Sequence, residues 1–400
     1  MIILINMSKT KVLVFNTTRS GHKFYINNQM ILEANHYTYL GIHFKKDGSL
    51  DLAMKILNNK ALKANFAIKQ GFYNASAKVS LKLFDSLVKP ICLYGSEIWA
   101  LDVIDWNKNI EQLLSQDNLP FEKLHIRFCK SILKVNSKCC NISAKSELGR
   151  FPIITSILVS MVKYWKHARE SNKNSLIYMA TNNDLVSKIV NYQNIVDKII
   201  GKSLNFDDIA IDTINKEIFT LKKSLKDSFT KEFFKKINVT NDCSSKFREY
   251  NKVKKIYRLE NYLESNDPNR QYISKIRLSC HHFPIEIGRW KKIDKSKRLC
   301  FFCNSDNTIG DEFHVLFQCS YQPIVEERTT FIDKLNQCNN QFSMFDSNSL
   351  YLYTLLCHDK AVSKITSVYF KKLCNIAYAS FKNMSSPEMA LWIQKCTNAF

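Results

Sequence analysis

Cys300 and Cys303 stand two residues apart, His314 follows after ten more and Cys319 after a further four, so the chain carries a Cys-x2-Cys-x10-His-x4-Cys pattern. Three thiolates and one imidazole form a complete donor set for one tetrahedral zinc ion. Four protein ligands leave no open position for water or substrate, which marks a structural rather than a catalytic site. A lone Cys-x2-Cys arises easily by chance among thirteen cysteines, whereas the full four-ligand spacing is far more specific. A thioredoxin-like redox pair would need a βαβ pattern around Cys300 and Cys303, and none surrounds them. The expected cofactor is therefore one structural Zn2+ per chain on Cys300, Cys303, His314 and Cys319.

Two short elements have to position these ligands. The cysteine pair can share one tight turn, and a helical turn over Glu312 to Gln318 would carry His314 and deliver Cys319 just past its end. The ten-residue link holds Asn304, Ser305, Asp306, Asn307 and Gly310, turn formers that let it loop out without disturbing the ligands. His281 and His282 lie nearby, and such histidines more often satisfy a local backbone group than add ligands.

The segment leading into the pattern is strongly basic. Lys246 to Arg298 contains fifteen Lys or Arg and six Asp or Glu, in a chain whose net charge is +22. Tyr250, Tyr257, Tyr262, Tyr272, Phe283 and Trp290 are interleaved with these charges. Cations that neutralise phosphates, mixed with rings on which bases stack, suit a single-strand surface. The candidate nucleic-acid contacts are Lys275, Arg277, Arg289, Trp290, Lys291, Lys292, Lys295, Lys297 and Arg298. RNA, DNA or both are the expected partners, with no small-molecule substrate and no membrane.

Four hundred residues with 45% hydrophobic content can bury two or three cores. Nine Gly and seven Pro are few for a turn-dense β fold and favour long helices. A mainly α chain with a small N-terminal antiparallel sheet is expected, an α+β class. Lys11–Phe15, Lys23–Ile26 and Tyr37–Phe44 read as strands, separated by Asn16, Ser20, Gly21, Asn27 and Asn28. From Leu50 the period becomes helical, with Leu52, Ile56, Leu57, Ala61, Ala64, Phe66 and Ile68 as its apolar stripe, and Val79–Val88 reads as a helix that Pro90 ends. The organisation expected is a β segment over 1–50, a helical domain over 51–170, a helical connector over 171–275, the basic segment and knuckle over 276–330, and a helical tail over 331–400. No run approaches a membrane span, and Met1–Met7 is too short for a secretory signal. The thiols then read as reduced and the protein as intracellular, in nucleus, cytoplasm or both.

Several short strings, in order, resemble the reverse transcriptases of non-long-terminal-repeat retrotransposons. They are Lys9-Thr10-Lys11 with VLVF, Tyr39-Leu40-Gly41-Ile42, Leu83-Phe84-Asp85, and PICLYGSEIW from Pro90 to Trp99. Phe128-Cys129-Lys130, Glu147 to Pro152 and Lys163-Tyr164-Trp165 continue the series. Arg277-Leu278-Ser279, Ile285-Glu286, Gly288-Arg289-Trp290, the Cys/His pattern and Tyr321 complete it. The resemblance implies the end of a palm, a thumb that grips template and primer, a connector, and a knuckle that engages template RNA or target DNA. In that family the metal-holding aspartates precede the Lys-Thr-Lys element, and eight residues precede Lys9 here. Asp207 and Asp208 lack the aromatic-x-Asp-Asp spacing and read as the first turn of a helix. A non-catalytic, zinc-bearing nucleic-acid binder is expected. A helical protein-interaction scaffold with a structural zinc, and a fragment of a longer active polymerase, are the alternatives.

Overall fold

The computed structural model describes residues 6–7, 9–15, 23–72, 75–182, 187–201, 211–238, 247, 249–303, 307–357 and 360–398. Helices dominate, and the strands lie near the N-terminus, as the Gly and Pro content led us to expect. The chain folds as two compact units built from non-contiguous stretches. The first comprises Met1–Gly71, Leu83–Leu124 and Pro152–Phe229, and the second Phe72–Lys82, His125–Phe151 and Thr230–Phe400. The stretch 171–275 that reads as one connector is divided between them.

In the first unit, β1 (Lys11–Val12), β2 (Phe24–Ile26) and β3 (Gln29–Glu33) form a mixed sheet in the order β1-β3-β2, with β1 parallel to β3 and β2 antiparallel to it. Asn27 and Asn28 both adopt positive φ in the two-residue turn between β2 and β3, the backbone a tight hairpin requires. The stretch read as one strand, Tyr37–Phe44, is instead a hairpin of β4 (His36–Tyr39) and β5 (Ile42–Lys45). Leu40 at φ 46° and Gly41 at φ 82° make its turn, which a strictly alternating reading overlooks.

The Asp51–Gly71 helix buries Ala53, Met54, Leu57, Ala61 and Ile68, while Phe66 faces outward. The Ile153–Glu170 helix buries Ile153, Ile154, Ile157, Leu158, Met161, Val162 and Trp165, and Trp99 and Trp165 are each 1% exposed in this unit's core. Pro90 does not end a helix. Ala77–Leu83 passes into a π-turn, Phe84–Val88, and helix resumes over Lys89–Leu93 with Pro90 in its first turn. The wider turn accommodates the proline ring and its missing N–H.

The second unit is organised around buried charge. Glu147 accepts hydrogen bonds from Arg277 Nε at 2.6 Å and from Tyr262 Oη at 2.7 Å. Arg277 also pairs with Glu260 at 3.0 Å, and Lys254 with Glu260 at 2.5 Å. Gly149, at φ 62°, lets Arg258–Leu259 pass so closely that a Cβ there would lie 2.6 Å from Leu259 N. Phe233, Tyr250 and Phe370 are fully buried in this unit, with Tyr250 Oη bonded to the Ser146 hydroxyl beside Glu147. The C-terminal stretch is helical over Gln322–Cys338, Ser347–Leu356, Lys360–Asn383 and Ser386–Asn398. Asp346 caps the second of these by accepting from Ser349 N at 2.7 Å.

Candidate metal centre

Each ligand arrives on a recognisable local device. Leu299 bridges Ile309 in antiparallel fashion, with Cys300 N donating to Thr308 O at 2.8 Å and Gly310 N to Arg298 O at 2.9 Å. Cys300 leaves this ladder and Cys303 follows in the turn. Gly310 does more than permit a loop. A Cβ there would lie 2.6 Å from Pro284 Cβ and 2.9 Å from Cys300 Cα, so only hydrogen fits between the Pro284–Trp290 helix and the first ligand. The expected helical turn is present as Glu312–Phe313 running into a π-turn, His314–Gln318. Asp311 accepts from His314 N at 2.8 Å and so caps the turn that carries the imidazole. Cys319 N donates to His314 O at 2.7 Å, and Arg328 donates to Cys319 O at 3.0 Å.

The four donor atoms, Sγ of Cys300, Cys303 and Cys319 and one ring nitrogen of His314, all lie within 4.8 Å of one another and could hold one metal ion. Among the described residues this is the only group of three or more such side chains placed to do so. Cys300 Sγ faces Cys319 Sγ at 4.0 Å and Cys303 Sγ faces His314 Nε2 at 3.5 Å. At 4.0 Å the sulfurs are about twice a disulfide bond apart. Cys300, Cys319 and His314 are buried and Cys303 half-buried. Hydrogen bonds from Cys300 and then His314 draw the Cys319 thiol well below its ordinary range, while the bond with Cys319 and burial push Cys300 up. Burial lowers the His314 pKa, but hydrogen bonds to Cys319 and Cys303 outweigh it and raise the value. Metal binding to such a set would proceed by displacing the remaining thiol and imidazole protons.

His281 is a supporting residue, not a fifth ligand. Its Nδ1 accepts from Phe283 N at 3.2 Å, which puts the proton on Nε2, and that atom meets buried Glu312 at 2.8 Å. Glu312 opens the turn that carries His314, so the pair anchors it. On the other side, Trp392 Nε1 donates to Leu299 O at 3.1 Å. Ile287, Ile293, Leu299, Trp392 and Cys396 form one apolar cluster that also gathers Phe301 and Phe381. Of these supports, Asp311 carried a local signal that the sequence reading passed over, an Asp three positions before the residue whose N–H it accepts. The part played by His281 and Trp392 has no local signature.

The basic candidates divide. Trp290, Lys291, Lys292 and Lys295 are exposed. Lys292, at φ 60°, ends the Pro284–Trp290 helix, with Ile293 N bonded to Gly288 O at 2.9 Å and Lys292 N to Arg289 O at 3.2 Å, a C-cap that turns the lysine pair to the surface. Lys275 is half-buried, its ammonium 4.6 Å from the centroid of the Tyr272 ring. Arg289 is committed to Glu286 at 2.6 Å, and Lys297 reaches Thr397 O at 3.3 Å. Two candidates must be corrected. Arg277 is fully buried in the Glu147 network. Arg298 is 7% exposed, lies over Gly288 and donates to Ile293 O at 3.0 Å. Neither side chain can reach a phosphate. Of the interleaved aromatics, Tyr250, Tyr262 and Phe283 are core residues. Asp207 and Asp208 lie outside the described residues.

No helix among the described residues is long and apolar enough to cross a membrane. No family model, no curated protein and no solved structure matches the chain.

Proposed function

We propose that the protein binds one structural zinc ion through Cys300, Cys303, His314 and Cys319 and uses the basic surface packed beside that centre to hold RNA or DNA. Zinc suits the donors. With Zn–S near 2.3 Å and Zn–N near 2.0–2.1 Å, tetrahedral angles put two sulfurs about 3.8 Å apart and a sulfur and a nitrogen about 3.6 Å apart. The separations here are 4.0 and 3.5 Å. All four positions are filled by protein, so the ion would staple the knuckle and polarise no substrate.

The observation that carries the nucleic-acid reading is the juxtaposition of Trp290, Lys291 and Lys292 with the metal centre. Ile287 and Ile293, on either side of them, share the apolar cluster with Leu299, the residue before the first ligand. The metal thereby holds a cationic surface in a protein of net charge +22. On this reading the chain is a relative of the non-long-terminal-repeat reverse transcriptases that holds strands and leaves nucleotide addition to another centre. The test is binding of a labelled RNA 20-mer by zinc-loaded protein. Affinity should fall steeply as salt rises, and unlabelled RNA should compete.

A helical interaction scaffold with a structural zinc is the second reading. The burial of Arg277, Arg298 and Lys254 favours it, because those charges serve the fold and not a surface. Indifference to salt and to RNA competition would be its signature.

A further inference from the structure

Beside the lysine pair lies an aromatic group that no phosphate contact requires. The His282 ring sits 5.3 Å from Trp290, 5.1 Å from Tyr378 and 5.7 Å from Phe381, and Trp290 lies 6.3 Å from Phe381. Two of these rings are at the surface, Trp290 at 36% and Tyr378 at 51% exposure. His282 meets Trp290 at 85° and Tyr378 at 70°, and Phe381 meets Trp290 at 76°. These edge-to-face contacts hold the two outer rings in place. Among the described residues no ring lies flat on Trp290 or Tyr378.

The surroundings are cationic. Lys291 and Lys292 follow Trp290 directly. On the Lys360–Asn383 helix, Lys371 and Lys382 are exposed and fall on the same face as Tyr378, two turns before it and one turn after. No acidic residue occurs between Lys371 and Met384. Between Lys275 and Trp290 the one carboxylate, Glu286, is buried and paired with Arg289. Exposed, braced rings in a field of lysines fit a partner that is both aromatic and polyanionic.

We propose that Trp290 and Tyr378, braced by His282 and Phe381, form a stacking platform for the unpaired bases of a single strand whose phosphates meet Lys291, Lys292, Lys371 and Lys382. This rests on the nucleic-acid reading above and adds to it a preference for unpaired bases. Tyr378 lies on a helix that lends no ligand to the metal, so the platform joins the Pro284–Trp290 helix to an element outside the knuckle.

The test uses the zinc-loaded full chain and three labelled probes of 12 nucleotides: oligothymidine, an abasic strand of the same backbone, and a duplex. Oligothymidine should bind at least about 10-fold more tightly than the abasic strand. Tyr378→Ala should weaken oligothymidine about 5- to 150-fold, the range for loss of one stacked base, and leave the abasic strand unchanged. Tyr378→Phe keeps the ring and should keep the affinity. Trp290→Phe should abolish most of the tryptophan quenching that oligothymidine produces. Because Tyr378 is exposed, an unchanged circular dichroism spectrum separates loss of stacking from loss of fold. Equal binding of the base-bearing and abasic strands, with Tyr378→Ala inert, would overturn the platform and leave phosphate binding standing. Failure to bind any strand, or equal binding of polyglutamate, would overturn both.

Discussion

Arg277 carries the sharpest prediction, because its residue type points to a phosphate and its position points to the core. It is fully buried, with Nε 2.6 Å from one Glu147 oxygen, Nη2 3.0 Å from Glu260, and Nη1 2.5 Å from Leu355 O. Arg277→Met fills most of the volume and removes the charge, leaving the buried Glu147 carboxylate without its ion-pair partner, with the Tyr262 hydroxyl still donating to it and Lys254 nearby. Breaking such a pair from one side costs about 3–5 kcal/mol. At 1.36 kcal/mol per tenfold that is about a 150- to 5,000-fold rise in local opening. With two structural units a single unfolding free energy is poorly defined, so the suitable assay is amide hydrogen exchange, read on peptides spanning 142–151 and 270–280. Glu147→Gln with Arg277→Met should recover much of the loss, since neither charge is then stranded.

The same pair sets an acid limit. Burial alone would raise the Glu147 pKa, but Arg277 and Lys254 outweigh it and hold the carboxyl below its unfolded value of 4.5. A depressed folded pKa contributes stability above pH 4.5 that is lost as pH falls through the folded value. Protection of these peptides should therefore decline below about pH 4.5 in the wild type and be flat in Glu147→Gln. Unchanged exchange in Arg277→Met, together with weaker RNA binding, would refute the buried role and return Arg277 to the surface.

Cys303→Ser should abolish stoichiometric zinc, measured by elemental analysis, and loosen the stretch from Arg289 to Tyr321, because metal affinity and local folding are one free energy. Gly310→Ala must push against Pro284 and the Cys300 backbone, an overpacking of about 1–3 kcal/mol, and should surrender zinc to a chelator faster than wild type. Lys291→Gln with Lys292→Gly keeps the left-handed cap while removing two charges. It should flatten the dependence of log K on log salt by about 1.4 to 1.8 without changing the circular dichroism spectrum.

The ligand set, the turn carrying His314 and the predominance of helix were legible because they rest on local spacing and composition. Asn27 and Asn28 read as turn formers for the same reason, but the strand that follows them, Gln29–Glu33, was not legible, because its five residues carry no clear alternation. The hairpin inside Tyr37–Phe44 was hidden because Leu40 is an uncommon residue at positive φ. Pro90 misled because a π-turn absorbs it, a choice made by packing. The fate of the arginines was hidden most deeply. Arg277 and Arg298 look like Lys291 and Lys292 in sequence, and only partners elsewhere decide the matter. For Arg277 these include Glu147, 130 positions away. For Arg298 they are the Ile293 carbonyl and the missing side chain of Gly288. Tyr378 meets His282 and Phe381 meets Trp290 from a different helix, which no window along the chain can reveal.

The metal centre, as proposed, organises a nucleic-acid surface. The most direct test of this is the affinity of the full chain for a labelled single-stranded RNA 20-mer at fixed low salt, measured zinc-loaded, after chelation, and after zinc is restored. Leu299 and Phe301 pack from the knuckle onto the cluster that supports Trp290, so removing the ion should lower the affinity about 10-fold or more, and zinc should restore it. Affinity unchanged by demonstrated, stoichiometric removal of zinc would contradict the account.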